Sequence, residues 1–185
     1  MKKVLLFFVV VILSLPQLLA QDPSFEKGDK VLNLGIGFGS AWYTGTGFKA
    51  QIPPVSASFE VGIVDNVLEK GVIGVGGYFG YSSYKYSYGV LDYGWKYTNL
   101  FIGARGNFHY PLANKLDTYV GLTIGVNVVG SKAWGGYTGT SFGSYGGLRT
   151  AEFIGARYYF SDSFAAMLEL GYGVSYLNLG IALKF

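Results

Sequence analysis

Asn178-Leu179-Gly180-Ile181-Ala182-Leu183-Lys184-Phe185 closes the sequence and decides the fold. Apolar side chains alternate here with small or polar ones, so an extended strand of this sequence has one apolar face. The alternation ends on Phe185, an aromatic residue with nothing after it to fold over. The closing strand of a transmembrane β-barrel fits this pattern, because one of its faces meets lipid and the other meets the lumen.

The same alternation recurs earlier in the chain, in segments close to the length of a tilted transmembrane strand, about nine to eleven residues. These segments lie at residues 32–38, 55–63, 73–81, 99–110, 119–128, 153–160 and 164–172. Short connections such as 65–70 alternate with longer ones such as 82–96 and 131–148. Short periplasmic turns and long outer loops are typical of outer-membrane barrels. The pattern therefore predicts an all-β fold, an eight-stranded antiparallel up-and-down transmembrane β-barrel.

The N-terminal region has the pattern of a secretory signal peptide. Lys2 and Lys3 give it a basic start, an apolar run follows from Val4 to Leu15, and Ala20 supplies a small residue for cleavage. This run is shorter than the roughly twenty residues that a membrane-spanning helix needs. The predicted organisation is a cleaved signal peptide at 1–20, a short periplasmic N-terminal segment at 21–29 and the barrel at 30–185.

The composition excludes several classes of protein. Charged residues make up 14% of the chain, against about 25% in soluble domains. No apolar run of about twenty residues follows the leader, which argues against a helical membrane protein and leaves a closed sheet as the way to pair backbone groups in lipid. The formal net charge of +3 gives no indication of nucleic-acid binding. Because the chain has no cysteine, we expect no disulfide and no lipid anchor on cysteine.

Charged residues are scarce within the alternating segments, and they lie on the face that carries glycine, asparagine, serine and threonine. They are Glu60, Arg105, Arg157 and Glu169. Counted from the short turns, these residues fall at similar depths, so we expect them to pair inside the barrel. An eight-stranded barrel is just wide enough for side chains to fill it. The prediction is a structural polar network that plugs the lumen and fixes strand register.

The long connections are rich in glycine and aromatic residues, which suggests a surface that contacts other molecules. The candidate contact residues are Trp42, Tyr43, Trp95, Trp134, Tyr137, Phe142 and Tyr145. The alternative is that these rings only extend the strands above the membrane and stack on one another.

Between Lys30 and Phe185 the chain resembles the eight-stranded outer-membrane barrels, namely the OmpX-like family and the OmpA-like transmembrane domains. The resemblance rests on the alternating strands, the terminal Phe185, the segment 169–173 and the Gly-Ala-Arg segments that end at Arg105 and Arg157. It implies the outer membrane of a Gram-negative bacterium, contacts with outer-membrane lipids and a monomeric barrel. Since the chain ends at the barrel, it implies no periplasmic peptidoglycan-binding domain.

The last residues also resemble the C-terminal signal that the outer-membrane barrel assembly machinery reads. The matching positions are Asn178, Gly180, Leu183 and Phe185. The resemblance implies that this machinery and periplasmic chaperones are partners of the chain.

The sequence predicts no enzyme, no cofactor and no metal. Acyl-transfer sites on small barrels need a histidine near a serine at the outer leaflet. The one histidine, His109, precedes Pro111 near a short turn, so we expect it to be a surface residue at the periplasmic end of a strand. The leading function is a structural or surface-interaction role, with an unknown surface partner. A narrow channel or small-solute transporter and a secreted, lipocalin-like ligand-binding barrel stay open as alternatives.

Overall fold

The structure is a computed structural model that describes residues 24–42, 47–87, 93–135 and 145–185, with the side chain of Tyr145 excepted. The predicted signal peptide at 1–20 lies outside the described residues. The strands in chain order are β1 (Lys30–Phe38), β2 (Phe48–Val67), β3 (Gly71–Ser87), β4 (Gly94–Ala113), β5 (Leu116–Trp134), β6 (Tyr145–Tyr159), β7 (Phe164–Tyr172) and β8 (Leu177–Lys184).

The strands form a closed barrel in which each strand pairs antiparallel with the next and β8 returns to β1. This confirms the predicted fold class, an eight-stranded up-and-down barrel. Among the described residues, no helix is long and apolar enough to cross a membrane.

The two faces of the sheet have opposite chemistry, as a period of two requires. On the exterior face, large apolar side chains are exposed, and examples are Ile36, Ile102, Val120, Ile154 and Leu170. On the interior face, polar side chains are buried, and examples are Asn33, Ser58, Asn107, Thr123 and Asn127. A soluble ligand-binding barrel has the reverse arrangement, with an apolar interior and a wet exterior. The observed arrangement suits a barrel surrounded by lipid.

Five strands are longer than the sequence predicts. β2 and β4 each have 20 residues, β5 has 19, β3 has 17 and β6 has 15. Parts of the predicted long loops 82–96 and 131–148 are therefore strand, because aromatic residues such as Tyr84 and Trp95 favour paired, pleated backbone. The outermost residues of these strands are 48–51 in β2, 84–87 in β3, 94–97 in β4 and 131–134 in β5, and we call them the outer extension.

The described part of the predicted periplasmic segment, residues 24–29, folds across the lower mouth of the barrel. The Gly28 amide donates a hydrogen bond to the Gly62 carbonyl at 2.9 Å, and the Gly62 amide donates to the Asp29 carbonyl at 3.0 Å. Phe25 is buried in one cluster with Val31, Val72, Tyr159, Ala165 and Ala182. This segment thus places a buried apolar cluster beneath the lumen.

Glycine allows adjacent strands to approach closely inside the barrel. Gly103 of β4 lies opposite Gly125 of β5, and a Cβ on Gly125 would lie 2.6 Å from the Gly103 Cα and closer still to the Ile102 carbonyl oxygen. Gly106, three positions further along β4 and therefore on the exterior face, has no atom within 4 Å of its Cβ position. The two sites therefore differ in available space although both lie on β4–β5.

We predict that Gly125→Val lowers the free energy of unfolding by about 2 kcal/mol or more, because the added side chain forces β4 and β5 apart. The measurement is urea unfolding of the barrel refolded in detergent, followed by tryptophan fluorescence. Gly106→Val is the matched control and should leave the midpoint nearly unchanged. Equal losses in both variants would contradict the argument from close approach.

Candidate functional site

Two arginine–carboxylate pairs lie inside the barrel. Arg105 of β4 bonds Glu169 of β7, and Arg157 of β6 bonds Glu60 of β2 at 2.5 Å. All four side chains are buried, with Arg157 0% exposed. Each pair therefore joins strands that are not neighbours in the sheet, across the width of the lumen. Buried charges of this kind cost several kcal/mol each unless they are paired and hydrogen-bonded.

Side chains on the interior face join the two pairs into one network. The Arg105 Nε donates to Asn107 Oδ1 at 3.3 Å, and the Asn107 amide donates to Glu60 Oε1 at 2.7 Å. At Glu169, the Tyr119 hydroxyl donates at 2.8 Å. The network thereby satisfies the two carboxylates from several directions, which is the condition for tolerating charge in a low-dielectric interior.

His109 is the main correction to the sequence analysis. The prediction of a surface residue at a strand end is wrong, because His109 is 2% exposed and points into the lumen. Its Nδ1 lies 2.7 Å from Asp117 Oδ1 and its Nε2 lies 2.7 Å from Glu60 Oε1. The physical reason is the period of two, since position 109 shares a face with Arg105 and Asn107.

Asp117 is a network residue that the sequence analysis missed. It lies close to a short turn and begins the interior face of β5 opposite Pro111. The Arg157 Nη1 donates to Asp117 Oδ2 at 3.0 Å. The signal that could have found it is its phase, because Asp117, Tyr119 and Thr123 share one face of an extended strand. With a doubly protonated His109, three cationic groups balance three carboxylates in this network.

Aromatic rings and glycines complete the packing around the charges. The Arg105 guanidinium lies 3.9 Å from the Phe153 ring centre, and the Arg157 guanidinium lies 4.7 Å from that of Tyr119. The Glu60 carboxylate fills the space where a Cβ on Gly74 would be. Below the network, the Phe25 ring centre lies 4.2 Å from that of His109. Glycine on one strand therefore makes room for a long side chain from the next.

Little open volume is left beside the charges. A cavity of about 30 Å³ next to Arg105 and Glu169 is lined also by Tyr78, Thr123 and Asn178. That volume holds one or two ordered waters. Within the described ranges, no group of three or more histidine or acidic residues is arranged to hold a metal ion.

The residues predicted as an assembly signal occupy both faces of β8. The Asn178 amide faces the lumen and donates to Glu169 Oε2 at 3.3 Å. Gly180 lies opposite Gly35 of β1, and Leu183 lies opposite Leu32. Phe185 is 72% exposed, and its amide donates to the Lys30 carbonyl at 2.9 Å. The role of these residues as a signal stays a prediction.

The described tryptophans of the predicted contact surface pack on other parts of the chain. The Trp42 ring meets Phe101 edge-on at 5.1 Å, above the lumen. Trp95 is buried, and Lys85 Nζ lies 3.1 Å from the centre of the Trp134 ring. The remaining candidates, namely Tyr43, Tyr137, Phe142 and the side chain of Tyr145, lie outside the described residues.

We predict that Arg105→Met lowers the free energy of unfolding by about 3–5 kcal/mol, because it leaves Glu169 buried without its cation. The barrel should still reach the membrane. Urea unfolding in lipid vesicles, followed by tryptophan fluorescence, measures the loss. Arg149→Met, at an exposed arginine of β6, is the matched control and should shift stability by no more than about 0.5 kcal/mol.

A double variant separates pairing from packing. Arg105→Met combined with Glu169→Gln should recover much of the loss, because no uncompensated charge remains. If Arg105→Met alone has the stability of the wild type, the network contributes nothing to stability.

No protein-family profile matches the chain, and no curated protein matches its sequence. Solved structures do match it. The crystal structure of Ail, the attachment invasion locus protein of Yersinia pestis, in complex with the heparin analogue sucrose octasulfate, has a TM-score of 0.52 at 12% identity and covers 86% of this chain and 99% of that chain. The backbone structure of the Yersinia pestis outer membrane protein Ail in a phospholipid bilayer nanodisc has a TM-score of 0.51 at 15% identity and covers 86% and 100%. This chain has the barrel fold of the outer-membrane protein Ail.

Proposed function

We propose that the chain is a monomeric outer-membrane barrel of a Gram-negative bacterium, with a closed lumen and a structural or surface-interaction role at the cell surface. The observation that carries this proposal is the reversed polarity of the barrel. Exposed apolar residues such as Ile102 and Val120 surround a charged, buried interior. Such an exterior is stable in lipid and costly in water.

The interior supports a plug rather than a pore. The arginine–carboxylate pairs cross the lumen, and Phe25 lies beneath them. An eight-stranded barrel has little width to spare beside such side chains. A narrow channel would need a continuous path past Arg105 and Arg157, and both guanidinium groups are buried.

The outer extension supports the surface-interaction role. Its strands continue as paired sheet beyond the apolar belt, so they hold a rigid surface above the membrane. Ail is named an attachment invasion locus protein, and it was solved with a heparin analogue. A barrel of the same fold with its own outer extension is suited to contacts with molecules at the cell surface. The unknown partner would meet β2–β5, where the sheet is tallest.

The C-terminal strand supports delivery through the barrel assembly machinery, with periplasmic chaperones on the way. Phe185 is exposed at the lower rim, on the outside of the barrel. A terminal aromatic in that position is accessible to a receptor before the last strand pairs with β1. The cleaved signal peptide at 1–20 would bring the chain to the periplasm.

The first test is the migration of the envelope fraction on a detergent gel, boiled against unboiled. We expect the protein in the membrane fraction, with a compact species that shifts on heating, because a closed sheet resists detergent until its hydrogen bonds melt. Recovery in the soluble periplasmic fraction without a shift would mean that the barrel is a soluble ligand-binding protein.

The second test is conductance in a planar bilayer. We expect no steady conductance from the purified barrel, because the charged network and Phe25 fill the lumen. A porin added to the same bilayer checks that the system detects open channels. Steady current from the wild-type barrel would favour a channel or transporter over a surface-interaction protein.

A further inference from the structure

Four lysines fall on one row of the outer extension. Cross-strand register places Lys49 of β2 opposite Lys85 of β3, Lys85 opposite Lys96 of β4, and Lys96 opposite Lys132 of β5. Residues directly opposite one another share a face of the sheet. With adjacent strands about 4.8 Å apart, the row spans roughly 14 Å. The sequence alone does not reveal this row, because its members are up to 83 positions apart.

The row lies on the exterior side, just above the apolar belt. Leu100 of β4 and Val128 of β5 are opposite one another and belong to the exterior apolar face. Lys96 and Lys132 follow four residues further along the same strands, in the same phase. A rise of ~3.3 Å per residue and a tilt of about 40° put the lysines roughly 10 Å above that belt. This is the level at which lipid headgroups surround a membrane barrel.

Between the belt and the lysines, β3–β5 carry small residues, while β2 carries Ile52 opposite Ser83. Ser83, Thr98 and Gly130 form the intervening row, again by direct register. Lysine stems are long enough to lie along such a surface and bring their ammonium groups down toward the headgroups. Lys49, Lys96 and Lys132 are exposed, and Lys85 is held over the Trp134 ring.

The row has no carboxylate partner in the described part of the protein, where Lys85 contacts the Trp134 ring. Among the described residues, no carboxylate lies within salt-bridge distance of these four lysines, and Asp92 lies outside the described residues. Like charges directly opposite one another destabilise a sheet. An external anion that bridges the ammonium groups would remove this repulsion, whereas a merely solubilising role does not require the lysines to align.

We propose that this row binds the phosphate groups of glycolipid headgroups in the outer leaflet. Its alignment suits a ligand with several anionic groups, and its height on the exterior face favours a lipid headgroup over a polyanion in solution. The inference rests on the proposed location in the outer membrane. It adds a specific ligand class, a phosphorylated saccharide headgroup, to the surface-interaction role.

The test measures binding of bisphosphorylated lipid A to the purified full-length barrel in neutral detergent, by native mass spectrometry. Lys96→Gln with Lys132→Gln should weaken binding about 25-fold, since each lysine near an anionic surface contributes about a fivefold factor. Binding of the wild type should also weaken at high salt. Lipid A from which the phosphates have been removed should bind both proteins weakly and equally.

The matched control carries the same change of charge at the opposite rim. Lys27→Gln with Lys115→Gln alters exposed lysines at the periplasmic end and should bind lipid A like the wild type. The heat-dependent gel shift is measured for every variant. A variant that keeps the gel shift but loses binding is folded, so its defect is in binding. If the wild type shows no gel shift, the proposed function is overturned instead.

Two outcomes would overturn the lipid assignment in a folded barrel. One is equal binding of phosphorylated and phosphate-free lipid A by the wild type. The other is lysine-dependent binding of soluble sucrose octasulfate with no lysine-dependent binding of lipid A, which would make the row a receptor for polyanions in solution.

Discussion

The burial of Arg157 is the constraint on which the rest of the barrel interior depends. A guanidinium that is 0% exposed must find its counter-charges and acceptors inside the lumen. It reaches Glu60, Asp117 and Asn33, which come from β2, β5 and β1. These contacts are compatible with one register of the strands only, because a slip by one residue would turn each partner toward lipid. The buried charges are therefore compensated only when the strands pair in the observed register.

Glycine placement follows from that constraint. The network needs long side chains in a narrow lumen, so neighbouring positions must be nearly empty. Gly74 leaves space for the Glu60 carboxylate, and Gly35 leaves space for the Asn178 amide. The exterior face has no such limit on side-chain volume, and large apolar residues occupy many of its positions. Part of the glycine content, 29 of 185 residues, thus reflects the packing of charge in a narrow lumen.

The architecture was predictable from the sequence because a period of two survives in each strand and identifies both faces. The same phase combined with depth predicted a network of Glu60, Arg105, Arg157 and Glu169, but not which arginine pairs with which carboxylate. His109 and Asp117 lie close to a short turn, which suggests a surface position, but their phase places both in the lumen. Phe25 was missed because a segment before the first strand carries no periodicity. The lysine row depends on register across several hairpins, and bulges in β2 shift that register in ways that local patterns do not encode.

The height of the barrel wall is uneven, since β2–β5 have 17 to 20 residues while β8 has 8 and β1 has 9. The seams that involve β1, β7 and β8 are consequently short, and the join between the first and last strands is one of them. Lys184 Nζ, at the end of this seam, donates to the Ser24 carbonyl at 3.2 Å and pairs with Asp29 at 3.3 Å. Residues 24–29, which lie across the lower mouth, thus also link the first strand to the last. Because residues 24–29 bond both β2 and β8, the two neighbours of β1, displacing them would loosen the β1–β8 join and uncover the lower mouth together.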